Sequence, residues 1–219
     1  AFEDLWPSQG DYDMNDVVVG YSTTFTVDKD NRIVAIRDVV TPLHSGGKLR
    51  SAFGYQLDIP VTAVKGVKIE NGSSTAGLEK NQDKAVVILF DDIEQAVARG
   101  PVSVEIELDG SLSMDKVTRK SLYNPFICVS DKGFVPGAVR KEIHLTNYPP
   151  TSLADPYPFG RNDDKSSLDK AGNPIGPYYY ATSELYPFAI DLPVTDYRIP
   201  DEMVKIDVFY PDFAGWVKS

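Results

Sequence analysis

Val102-Ser103-Val104-Glu105-Ile106-Glu107-Leu108-Asp109 decides the fold. Apolar and polar residues alternate strictly, so in an extended chain one face is apolar and the other is polar. A helix would scatter the same residues around its axis. Ala85 to Phe90, just upstream, is a continuous apolar run that suits a strand covered on both faces. Further upstream Phe53, Tyr55, Leu57 and Ile59 alternate up to Pro60. Val17, Val19, Tyr21, Thr23, Phe25 and Val27 mark one face of a long strand. Asp28 to Asn31 reads as a turn and Ile33 to Val40 as the return strand, so this pair is expected to be a hairpin. Downstream, Ser121 to Val129, Glu142 to Leu145 and Val204 to Tyr210 complete the expected strands.

Helix signals are few. Asp91 to Arg99 suits a short helix capped by Asp91 or Asp92, with Ile93, Ala96 and Val97 facing inward. Pro211 to Val217 suits a last turn. Most of the 16 prolines and 16 glycines fall between the apolar segments and separate them. The expected architecture is all-β: a β-sandwich or jelly roll over residues 1–219, with one or two short helices. Residues 148–180 break the pattern. They are rich in Pro, Gly, Asp and Tyr with little alternation, and are expected to form one long loop excursion.

Composition narrows the function classes. The net charge of −10 opposes nucleic-acid binding and electrostatic attachment to anionic lipid. No stretch approaches the roughly 20 apolar residues of a membrane span, so direct membrane insertion is not expected. The single Cys128 lies in an apolar run and reads as a buried structural thiol. The chain opens on Ala1-Phe2, which reads as a segment of something longer.

Gly10-Asp11-Tyr12-Asp13-Met14-Asn15-Asp16 is the strongest site candidate. Acids packed this closely repel one another unless a cation neutralises them. Ca²⁺ takes six to eight oxygens, and Asp11, Asp13 and Asn15 supply three from one turn. An EF-hand is excluded, because its Gly position holds Asp16 and its bidentate Glu position holds Ser22. The missing oxygens are expected from Glu3 and Asp4 and from a carbonyl such as that of Tyr12 or Met14. The competing reading is an Asx-turn with Asn15 or Asp16 capping the strand entry.

Phe2-Glu3-Asp4-Leu5-Trp6-Pro7 followed by Gly10-Asp11-Tyr12-Asp13-x-Asn15-Asp16-Val17-Val18 resembles the opening of the LruC-type domain of bacterial surface lipoproteins, frequent in Bacteroides and relatives. Ala85 to Asp92, Asn124-Pro125-Phe126-Ile127, Arg140 to Leu145, Pro149-Pro150-Thr151, Phe159-Gly160, Asp163-Asp164, Tyr178-Tyr179 and Tyr186 to Ile190 extend the resemblance along nearly the whole chain. Met14 departs from it where an aromatic is expected, and Tyr186-Pro187-Phe188 replaces a Leu-Pro-Trp-like form. The opening is also similar to domains of secreted calcium-associated proteins. The resemblance implies an extracellular or outer-membrane surface domain, lipid-anchored through a segment preceding this one.

Other residues offer weaker chemistry. Glu142 and His144, two apart on a strand, share a face and could extend a metal site, or simply form a polar face. Tyr178, Tyr179 and Tyr180 could stack on a glycan or a surface protein, or could pack the loop onto the sandwich. Asp163-Asp164 read as solvated turn acids. With two histidines and no nucleophile elbow, catalysis is not expected. The expected function is a non-enzymatic surface domain with structural Ca²⁺ held by Glu3, Asp4, Asp11, Asp13, Asn15 and Asp16. The alternatives are a carbohydrate-binding or adhesive module, and a subunit of a surface assembly formed by strand pairing.

Overall fold

The computed structural model describes residues 1–194 and 196–218. Nine strands form two antiparallel sheets packed face to face. They are β1 (Val18–Val27), β2 (Ile33–His44), β3 (Arg50–Pro60), β4 (Val64–Glu70), β5 (Gly77–Leu78), β6 (Lys84–Phe90), β7 (Val102–Leu108), β8 (Tyr123–Ser130) and β9 (Lys141–His144). One sheet has the order β1-β2-β7-β4 and the other β5-β6-β3-β8-β9. The protein is therefore an all-β sandwich.

The deciding segment behaves as its alternation requires. In β7, Val102, Val104, Ile106 and Leu108 are buried, while Glu105 and Glu107 face solvent. Arg37 of β2 and Lys68 of β4 stand opposite Glu105, so the outer face carries cross-strand opposite charges. The β1–β2 hairpin forms with Tyr21 opposite Val40 and Phe25 opposite Ile36. The inner faces meet in one core that includes Ile36, Val40, Phe53, Leu57, Val87 and Ile127.

The second sheet is covered on both sides. Ala52, Val86, Ile88, Phe126 and Cys128 form a separate buried cluster on its outer face. This explains the unbroken apolar run of β6, whose residues Ala85 to Phe90 are all buried. Residues 146–181 lie over the continuation of that face. Tyr180 is fully buried and stacks on His144, whose other face stacks on Phe126, with ring centroids 5.3 and 4.7 Å away.

Helix α1 (Ile93–Arg99) is capped by Asp92, whose side chain accepts from the Gln95 amide. Ile93 and Ala96 face inward, but Val97 points outward, because the seven-residue helix presents only one narrow stripe to the core. A single turn, α2 (Arg119–Leu122), precedes β8 where an unbroken strand was expected from Ser121. Two strands were not anticipated, β4 and β5. Beside Gly66 and Gly77 their alternation is short and half-exposed.

Val204 to Tyr210 does not form the expected strand. It holds the turn α3 (Ile206–Phe209), followed by α4 (Phe213–Trp216). Ile206 donates its amide to the Tyr12 carbonyl, and Ile206 and Phe213 pack on Tyr12 and Met14 in a third cluster. These contacts, rather than the period-two spacing, set the backbone there.

Candidate metal centre

The acidic turn owes its shape to alternate left-handed residues. Gly10, Tyr12 and Met14 have φ of 65°, 57° and 55°. Non-glycine residues adopt this region at a cost, and the surroundings must over-determine it. Here the Tyr12 and Met14 side chains, 1% and 0% exposed, anchor it in the third cluster. Met14, the departure noted in the sequence, thus anchors the turn through its apolar side chain.

The intervening acids gather on the other side. One carboxylate oxygen from each of Glu3, Asp11 and Asp13 lies within 4.8 Å of the other two. Glu3 is fully buried. Its Oε1 accepts from the Met14 amide, and its Oε2 is buried with no hydrogen-bond partner among the described residues. Asp13 is fixed by the Asn15 amide on Oδ1 and the Met203 amide on Oδ2. Asp11 is half-buried and opens the site to water.

The remaining predicted ligands are arranged otherwise. Asp16 Oδ2 accepts from the Asp4 amide at 2.7 Å. Lys141, reaching over from β9, donates to the Asp4 and Trp6 carbonyls, and its charge faces Asp4 and Asp16. Lys141 is therefore a built-in counter-ion for these two acids. Asn15 is turned away, its Nδ2 donating to the Pro200 carbonyl and its Oδ1 buried against Gly46 without a partner among the described residues. The Tyr12 and Met14 carbonyls accept from the Ile206 amide and the Tyr197 hydroxyl.

Gly46 and Gly47 close the nest from the β2–β3 loop. A Cβ on Gly46 would collide with Asn15 Oδ1, and one on Gly47 with Asp4 Oδ2 and Asp16 Oδ1. Only glycine lets that backbone approach so closely.

The Glu3, Asp4, Asp13 and Asp16 carboxyls are all raised by burial and by neighbouring acids. Burial, then Asp16, Asp13 and Asp11, push the Glu3 carboxyl up to about 9, against the opposing pull of the Met14 amide. Burial and Asp4 push Asp16 up to about 7. Burial likewise raises Asp4 and Asp13, and Glu202 adds a further negative charge near both. A hard, oxygen-seeking cation held by Glu3, Asp11 and Asp13 would offset the repulsion among them, and their all-oxygen donor set suits Ca²⁺.

Glu142 and His144 are held by other protein groups. Both are fully buried. Glu142 accepts from Arg140, Thr151 and the His144 ring, and His144 Nδ1 meets Asn124 Oδ1 at 2.8 Å. Burial would raise the Glu142 carboxyl, but His144, Arg140 and Thr151 outweigh it and hold it below its ordinary value. Burial lowers the His144 imidazole, against the opposing effect of Glu142. Arg140 also forks onto Glu79 at 2.6 and 2.7 Å. The tyrosines are divided: Tyr180 is internal, Tyr179 half-buried and Tyr178 exposed, so they do not form one platform.

Asp164 is a correction to the solvated-turn reading. It is fully buried and accepts from the Trp6 indole, the Gly160 amide and Ser166. The sequence reading also missed Lys141, Glu202 and Gly46-Gly47. Only the Gly46-Gly47 pair carried a local signal, since adjacent glycines mark close backbone approach.

A family model described as "Domain of unknown function (DUF4842)" matches residues 31–219. The match begins after the acidic turn and includes Gly46, Gly47 and Lys141. No curated protein matches the chain. Among solved structures, a "Putative lipoprotein from Bacteroides ovatus" is similar at 19% identity and a TM-score of 0.65, covering 99% of this chain and 69% of that one. At this identity the likeness shows the shared fold.

Proposed function

This chain belongs to the DUF4842 family, a domain of unknown function, and from that premise we propose that it is a non-enzymatic cell-surface β-sandwich domain locked by a structural Ca²⁺. The observation that carries this reading is the unpartnered Oε2 of fully buried Glu3, whose carboxylate gathers with those of Asp11 and Asp13. A buried carboxylate oxygen without a donor costs several kcal/mol unless a cation or proton meets it. Glu3, Asp11 and Asp13 would hold the ion, and water entering past Asp11 would fill the remaining positions. Asp4 and Asp16 would form the outer shell with Lys141.

The ion would tie three distant parts of the chain together. Glu3 belongs to the N-terminal arm, which bridges Val17 and Ala189 through Phe2. Asp11 and Asp13 belong to the turn, and Met203 brings in the C-terminal segment through Asp13. Because the assembled site is absent from the unfolded chain, ion binding adds directly to folding stability.

The surface setting, with a lipid anchor outside this segment, is supported by the fold shared with a protein described as a lipoprotein and by the acidic composition. The resemblance to LruC-type domains points the same way. A structural or interaction role is favoured over catalysis because the Glu142–His144 pair is sealed among protein partners.

The test is thermal unfolding of chelated protein with and without added Ca²⁺. The expected result is a higher melting temperature with Ca²⁺ that is lost in Glu3→Gln. Equal melting temperatures in chelator and in Ca²⁺ would refute the proposal.

A further inference from the structure

Lys141 brings the acidic turn a cation of its own. Its Nζ donates to the Asp4 carbonyl at 2.8 Å and to the Trp6 carbonyl at 2.9 Å. Its charge faces the Asp4 and Asp16 carboxylates. An ammonium held by carbonyl oxygens and faced by carboxylates stands where a hard metal ion could stand.

The oxygens around it are fixed by the fold. Asp16 Oδ2 accepts from the Asp4 amide at 2.7 Å, which orients that peptide. Trp6 is fully buried and its indole donates to Asp164. Lys141 opens β9 opposite Val129 of β8, so its stem rises from a paired backbone. The residue is half-buried, which leaves its place within reach of water.

One lysine does not balance this side of the turn. Asp4 and Asp16 carry two carboxylates, and Glu202 adds a third negative charge near Asp4. Asp4 is 2% exposed, and its Oδ2 is buried with no hydrogen-bond partner among the described residues. A Cβ on Gly47 would strike both this oxygen and Asp16 Oδ1, so the two oxygens are neighbours. Carboxylate and carbonyl oxygens, with no nitrogen or sulfur donor among them, suit a divalent cation such as Ca²⁺.

We propose that the Lys141 ammonium occupies a second cation subsite, formed by the Asp4 and Trp6 carbonyls and the Asp4 and Asp16 carboxylates. The natural chain then takes one Ca²⁺, at Glu3, Asp11 and Asp13, and its own lysine closes the Asp4 side without metal. With the lysine removed, the subsite takes a second Ca²⁺. This deepens the cation reading of the acidic turn and rests on it for the first ion.

Equilibrium dialysis of the whole chain against Ca²⁺ in about 0.15 M NaCl counts the bound ions, the salt suppressing binding to exposed acids. Lys141→Ala removes the ammonium and frees its space. Lys141→Gln keeps most of the stem and brings an amide oxygen near the same carbonyls. The expected counts are one Ca²⁺ for the natural chain and two for each of these variants. Lys141→Arg keeps the charge and is expected to stay at one. The count for the natural chain tests the acidic turn as a Ca²⁺ centre, and the difference between chains tests the second subsite. An equal count in the natural chain and both neutral variants, or a gain in Lys141→Arg, would overturn the second subsite. So would failure of both neutral variants to fold in Ca²⁺, judged by β-sheet circular dichroism, because a metal that fills the subsite replaces the lost charge.

Discussion

At the scale of single residues, Glu3 carries the most consequence. Its carboxyl is held up to about 9, so between its ordinary range and that value the folded state binds a proton that the unfolded state has lost. The contribution of Glu3 to metal-free stability is therefore expected to fall as pH rises from about 5 to 9, and that of Asp16, held up to about 7, to fall in the lower part of that window. A bound Ca²⁺ would compete with the same protons, so its stabilising effect is expected to grow with pH. Urea unfolding at pH 5.5 and pH 8, with and without Ca²⁺, checks both signs. Glu3→Gln keeps an acceptor for the Met14 amide and removes the charge. At pH 8 it is expected to melt higher than the wild type in chelator and to gain nothing from Ca²⁺.

Gly47 gives a second prediction at this scale. Its missing side chain is what admits Asp4 and Asp16 beneath the β2–β3 loop. Gly47→Ala is expected to cost about 1–3 kcal/mol, measured by urea unfolding, with the loss persisting in Ca²⁺ because the clash is steric. Asp38 teaches the complementary lesson about legibility. It shares the face of Ile36 and Val40 in β2, so an acid at a core position was visible in the sequence. What neutralises it was not, because Tyr55, Tyr123 and Thr23 come from three other places in the chain.

At the scale of elements, β9 is the junction. Within four residues it sends Ile143 into the main core, Glu142 and His144 into the covered outer face, and Lys141 to the acidic turn. Arg140, just before it, satisfies two buried glutamates. Arg140→Met would leave Glu79 and Glu142 buried without their cation. A loss of about 3–5 kcal/mol is expected, read by urea unfolding. A loss under about 1 kcal/mol would mean that Arg140 is not what neutralises the two glutamates. The strand period identified β1, β2, β3, β6, β7 and β8 closely, because each is wide enough to show alternation or a full apolar run. It misread 204–210, where Ile206 and Phe213 answer to Tyr12 and Met14.

For the whole molecule, the cation is expected to couple the N-terminal arm, the acidic turn and the C-terminal segment. At a free Ca²⁺ concentration of about 1,000 times the dissociation constant, the gain is about 4 kcal/mol. For a chain of this size that corresponds to roughly 8–16 °C in melting temperature. Hydrogen exchange should show where the gain falls. Slowed exchange is expected at the Met14, Asn15 and Met203 amides, with β7 and β8 unchanged short of global unfolding. Uniform slowing across both sheets would mean that the ion stabilises the sandwich as a whole and does not specifically pin its ends.

The sequence by itself determined the sandwich and the acidic turn, since both are written in spacing along a few residues. Alternation fixes which faces are buried, and acids crowded at alternate positions demand a counter-charge wherever they fold. Only the tertiary structure decided which acids share one space. Glu3, Asp11 and Asp13 converge, whereas Asp4 and Asp16 turn to Lys141 and Asn15 to Pro200. The same holds for Asp191, whose partner Tyr21 lies 170 residues away. The reason is physical: a strand's period is a property of its own backbone, but the electrostatic balance of a buried charge depends on whichever distant groups the packing brings within a few ångströms.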